Sequence, residues 1–219
     1  MSESMLLGAL LAVVGGFLDV YTYLCRGGVF ANAQTGNIVL FGLYLAEREW
    51  LTALRYLPPI LAFAAGVVAA EELRRRYQNR QSIHWRQVVV LVQATLLCAL
   101  AFAPQSLNTA VNVVISFVCA LQVEAFRKLR GSAFATTMCT GNLRSGTEQL
   151  VIWRREGDAK AGRKAARYYA IILFFIGGAV LGGALTDAFD EKAVFAACAL
   201  LLVIFGMMFI EEEEQKERP

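Results

Sequence analysis

The chain is poor in the residues on which soluble and catalytic proteins rely. Of its 219 residues one is histidine and four are proline, and 18% are charged, against about 25% in ordinary globular proteins. The lone His84 has no carboxylate or cysteine at ligand spacing, which argues against a metal centre. The five cysteines show no CxxC or metal-ligand spacing. Cys98, Cys119, Cys139 and Cys198 lie within apolar stretches and read as buried free thiols. No GxSxG, HExxH, P-loop or GxGxxG pattern occurs in a suitable context, so no cofactor is expected. An excess of one charge is missing too: the net charge is +3, with Lys and Arg gathered between apolar runs, which disfavours nucleic-acid binding.

What is abundant is apolar. Residues AVILMFWYC make up 57% of the chain, and the mean hydropathy is +0.50. A soluble domain of 24.0 kDa keeps much of its surface in water, so this composition points to lipid. Stretches of about 20 mostly apolar residues predict an all-α membrane protein. Six spans are expected, at 6–24, 52–72, 87–104, 107–126, 166–187 and 192–210. The leader Met1-Ser2-Glu3-Ser4 has no basic residue and no cleavage-like site follows it, so the first helix is expected to be retained. Two further stretches, 28–46 and 132–152, are apolar enough to enter a bilayer but carry Thr-Gly-Asn at their centres. They are expected to be broken and re-entrant.

Basic residues set the expected orientation, because short cytoplasmic loops hold the Lys/Arg excess. There are three clusters: Arg74, Arg75, Arg76, Arg80 and Arg86; Arg127, Lys128 and Arg130; and Arg154, Arg155, Lys160, Arg163, Lys164 and Arg167. If 132–152 crossed the membrane, the second and third clusters would face opposite sides. If it re-enters, all three lie inside, together with both termini and the acidic tail at 211–219. This is the orientation expected in a bacterial inner membrane. Eight crossings, arranged as two parallel four-helix halves, are the alternative. Trp50, Trp85 and Trp153 fall at span ends, where indole favours the interface.

A shift of 105 residues superposes Thr35-Gly36-Asn37 on Thr140-Gly141-Asn142, Asp19 on Glu124, Tyr21 on Phe126 and Leu24 on Leu129, without a gap. The chain therefore divides into halves, 1–105 and 106–219, each reading as helix, broken segment, helix, helix. Three crossings per half is an odd number, so the halves are expected to be inverted, a recurring plan of transporters and channels. In water Thr-Gly-Asn would be a simple turn. Unpaired backbone inside a bilayer costs several kcal/mol per group unless it is buried in protein or lines a wet cavity, so two matched breaks mark a candidate site. Thr35, Gly36, Asn37, Thr140, Gly141 and Asn142 are the expected solute-binding residues. Free N–H groups at half-helix starts would favour an anion or a polar solute.

Asp19 and Glu124 are ionisable residues in or at the end of a span, which is a functional hypothesis by default. They are expected to take up a proton or cation coupled to solute binding. The competing reading is a structural pair with Arg26, Arg127 or Arg130. Arg144 and Glu148 occur in the second half only, opposite Val39 and Leu43, at a spacing that allows an ion pair on one helical face. Gly178 and Gly182, like Ala65, Gly66, Ala69 and Ala70, have the small-residue spacing that lets helices approach closely, within the bundle or between two copies as a homodimer.

The stretch GGFLDVYTYLCRGGVFANAQTGN at 15–37 resembles the YoaK family of bacterial membrane proteins, a domain of unknown function, and the similarity extends over nearly the whole chain. The resemblance implies roles for Asp19, Gly36 and Asn37 by position, with Thr35 where many relatives carry serine, and it implies no activity. From the residues themselves the expected function is a transporter or channel for a small polar or anionic solute or ion. An integral membrane enzyme and a non-transporting scaffold or accessory subunit are the alternatives.

Overall fold

An α-helix occupies each apolar stretch. The computed structural model describes residues 4–77, 85–129, 132–133 and 139–216; Arg80, His84 and Arg130 lie outside the described residues. Helix α1 spans Met5–Cys25 and starts at Ser4, whose Oγ accepts the Leu7 N–H at 3.2 Å. It gives way to Gly27 and Gly28, whose φ values of 88° and 76° favour glycine. Next come α2 (Gln34–Ala46), the single turn α3 (Trp50–Ala53) and α4 (Leu57–Tyr77). Pro58 and Pro59 stand in the first turn of α4, where a missing N–H costs little. Helix α5 (Trp85–Leu100) leads through a 3₁₀ turn at Gln105–Leu107 to α6 (Asn108–Ala125). A two-residue antiparallel ladder pairs Lys128 with Ala133 and Leu129 with Ser132. Helix α7 (Cys139–Glu156) is separated from α8 (Ala159–Phe189) by Gly157 and by Asp158, which caps α8 through the Lys160 N–H at 2.8 Å. A 3₁₀ turn at Asp190–Ala193 opens α9 (Val194–Lys216).

Among the described residues four stretches are long and apolar enough to cross a membrane: 5–25, 50–77, 105–125, and 159–209, which contains both α8 and the apolar part of α9. Helix α5 is apolar but shorter. Val68 and Leu173 leave 70% and 67% of their surface exposed. Apolar exposure of that kind is unfavourable in water and natural against acyl chains. The main core joins α1, α5, α6 and α9 through Leu18, Leu97, Ile115, Leu201 and Ile204, all fully buried. Trp85, at the start of α5, also lies in this core.

Helix α1 packs along α8, α4 along α6, and α7 against α8. Two crossings are backbone-close. A Cβ at Gly178 would strike the carbonyl of Val13, and one at Gly182 would stand 2.8 Å from the Phe17 oxygen. At Gly66 a Cβ would stand 2.5 Å from the Phe117 oxygen. The Gly178 and Gly182 spacing is thus used inside the chain and gives no ground for contact between two copies. Under the shift of 105, α1 corresponds to α6, α2 to α7, α4 to α8 and α5 to α9. The α1–α8 contact then maps onto α6–α4, and α1–α9 onto α6–α5.

One expectation needs correcting. Thr-Gly-Asn does not break a segment at its centre: the first motif lies in the first turn of α2, which begins at Gln34, and the second is helical within α7. In the first half the chain reversal comes earlier, at 26–33. Gly36 and Asn37 remain helical because their contacts are with that preceding loop rather than with a turn of their own.

Candidate functional site

The site is built on the loop between α1 and α2. Asp19, on α1, is 5% exposed, and its Oδ1 accepts the N–H groups of Asn32 at 2.6 Å and Ala33 at 3.3 Å. Asn37 is fully buried one turn into α2. Its Oδ1 accepts the Phe30 N–H at 2.9 Å, while its Nδ2 donates to the Phe30 carbonyl at 2.8 Å and to Gln34 Oε1 at 3.0 Å. Gly36 leaves room for the Phe30 ring, whose Cδ2 lies 2.9 Å from where a Cβ would stand. Tyr23 stacks on the same ring at 4.8 Å. The motif's three residues therefore divide their work. Gly36 and Asn37 fix Phe30, and Thr35 is left to face outward.

The first-turn amides of α2 are largely occupied. Gln34 N–H reaches the Asn32 carbonyl at 2.8 Å, and the Gly36 and Asn37 N–H groups share the Ala33 carbonyl at 2.8 and 3.3 Å. The sequence suggested free donors at this helix start; the loop takes them up locally instead.

These parts line one cavity of about 410 Å³. Asp19, Asn32, Gln34 and Thr35 border it from the first half, and Cys139, Thr140 and Gly141 from the second. Phe30, Phe63 of α4 and Phe175 of α8 supply apolar wall. The two helix starts identified by the repeat thus meet across a single space, with the α1 carboxylate beside them. Asn37 lies behind the wall, and neither it nor Asn142, also buried, is among the lining residues. Among the described residues no Lys, Arg or His lines the cavity, and none pairs with Asp19. Asn32 donates from Nδ2 to the Gly15 carbonyl at 3.2 Å, whereas its buried Oδ1 has no partner among the described residues.

Three expected site residues stand elsewhere. Glu124 does not mirror Asp19: its Oε1 lies 2.9 Å from Arg127 Nη1, without hydrogen-bond geometry, and 3.8 Å from Arg74 Nη1. This is the structural pairing, with Arg74 arriving from α4. Arg144 and Glu148 are both exposed and form no ion pair with each other among the described residues. They line an open groove on the outer side of α7 that shares only Thr140 with the cavity.

Arg26, in the loop that follows α1, does not pair with Asp19. It is fully buried and donates to Tyr21 Oη at 3.1 Å, Ala103 O at 2.9 Å, Leu100 O at 3.3 Å and Asn108 Oδ1 at 3.3 Å. Its charge sits at the carbonyl end of α5, the negative end of that helix. Phe30, Asn32, Phe63 and Phe175 were also missed; only Asn32, a polar residue in an apolar stretch just ahead of the motif, carried a visible signal.

Comparison with known proteins agrees with the membrane architecture. The family described as "Protein of unknown function (DUF1275)" matches residues 7–207. The chain belongs to that family. A relative, the "UPF0700 transmembrane protein YoaK" of Bacillus subtilis, is 26% identical over 189 residues, covering 82% of this chain and 83% of that protein. No solved structure matches the chain. The DUF1275 match takes in α1 to α8 and most of α9, so it includes every residue that lines the cavity.

Proposed function

We propose that this protein is a transporter or channel for a small polar solute, with the 410 Å³ cavity as its binding site. One observation carries the reading: two sequence-matched helix starts and a buried carboxylate face a common space inside an apolar bundle. Polar groups held in such surroundings cost stability unless water or a solute satisfies them. Thr35, Thr140 and Gly141 contact the solute. Gly36 and Asn37 hold the wall, and Asn142 occupies the matching place in the second half. Asp19 takes up a proton or cation coupled to the solute. Glu124, Arg144 and Glu148 are outside the mechanism.

The reading includes six crossings, both termini on the cytoplasmic side of a bacterial inner membrane, and the halves 1–105 and 106–219 inserted in opposite directions. The exchange of helix contacts under the 105-residue shift and the confinement of the basic clusters to alternate loops support it. Flux into liposomes carrying the purified protein tests the function, using a panel of labelled small solutes with and without a pH gradient. Saturable uptake of at least one solute is expected, with Asp19→Asn abolishing gradient-driven accumulation and Glu124→Gln retaining it. No movement of any solute, from protein shown to be folded, rejects the reading.

A further inference from the structure

The cavity's chemistry is one-sided. Among the described residues its charged lining residue is Asp19, and three phenylalanines complete the wall. Of the first-turn amides of α2, which would otherwise draw an anion, those of Gln34, Gly36 and Asn37 already reach the carbonyls of Asn32 and Ala33. We infer that the cavity selects solutes bearing an ammonium or other small organic cation. A carboxylate accepts from or attracts such a group, and the negative faces of aromatic rings favour it over an anion. Phe30 is held for this by three independent restraints: the Asn37 clasp on its peptide groups, Gly36 beneath its ring and Tyr23 stacked on it.

This inference rests on the proposal that the cavity admits solutes, and Cys139 lets the two be tested apart. Its thiol lines the cavity and is partly exposed. The full native chain is treated at pH 8 with two methanethiosulfonates of similar size, one trimethylammonium-ethyl and one sulfonatoethyl. Adducts at Cys139 are read by peptide mass spectrometry, and each rate is divided by that of a free thiol with the same reagent. A cleft of one sign with low-dielectric walls raises counter-ion concentration by at least about tenfold, so a cation-to-anion rate ratio of about ten or more is expected. Asp19→Asn lowers that ratio to about one, and Phe63→Leu, which leaves Asp19 and its loop in place, lowers it by about threefold.

A ratio at or below one on the native chain overturns the inference, because the start of α7 then dominates the field. So does a ratio that survives Asp19→Asn. In both cases Cys139 has been reached, and the cavity reading stands. If neither reagent modifies Cys139 while both modify an exposed engineered cysteine at Thr147, the cavity is closed to solutes and both proposals fall. The ratio on the native chain decides the matter even where Asp19→Asn does not fold.

Discussion

Asn37→Ala separates a residue that touches solute from one that builds the wall behind it. The side chain makes three hydrogen bonds, two of them to the backbone of Phe30, and is fully buried. Truncation leaves the Phe30 N–H and carbonyl without partners in a place that water reaches poorly. A side-chain hydrogen bond in a membrane protein contributes about 0.6 kcal/mol on average, and in water-soluble proteins about 1 kcal/mol. Two lost bonds plus part of the penalty for the orphaned peptide groups come to about 1–3 kcal/mol. Thr35→Ala, two residues away on the cavity side, is expected to cost less than about 0.5 kcal/mol. Reversible unfolding in mixed micelles, titrated with a denaturing detergent, measures both. An Asn37→Ala variant as stable as the native chain that nonetheless fails to bind solute would refute the reasoning and return the amide to the cavity.

The glycines make a paired test. Gly178→Ala forces a Cβ onto the Val13 carbonyl and is expected to cost about 1–3 kcal/mol, whereas Gly177→Ala, with nothing within 4 Å, leaves stability within about 1 kcal/mol of native. Arg26→Lys keeps the charge but loses the fork that reaches α1, α5 and α6 together, and the same unfolding assay should register about 2–4 kcal/mol. Single cysteines placed at Arg48 and Lys160 are expected to label from opposite sides of the membrane; labelling of both from one side would eliminate six crossings with inverted halves.

Much of the architecture was legible because the bilayer imposes a length rule on apolar runs that needs no tertiary information. The boundaries of α1 and α6 lie within two residues of the runs at 6–24 and 107–126. Asp19 stood out for the same reason, as the single charge in such a run. The partnerships were not legible, since each joins residues far apart in sequence. Arg26 reaches carbonyls at Leu100 and Ala103, and Glu124 meets Arg74 from another helix. Asn37 is the instructive case. Gly-Asn reads as a turn by composition, yet both residues are helical here and contact Phe30, which the sequence alone does not bring to them.

The two halves have the same helices in the same order, yet their polar groups serve different ends. Asp19 tethers the loop before α2 and, among the described residues, faces the cavity without a cation, while the matching Glu124 lies between two arginines. Val39 and Leu43 present an apolar face on α2 where α7 presents Arg144 and Glu148. In the first half, Asp19 and Asn37 bind backbone on both sides of Ala31, so residues 30–33 form a wall anchored to α1 and to α2. A wall with that many buried restraints does not move without breaking them, each at a cost comparable to the hydrogen bonds counted above. The wall is thus a feature of the first half, while Cys139, Thr140 and Gly141 border the same cavity from the second, an asymmetry that an exact repeat could not provide.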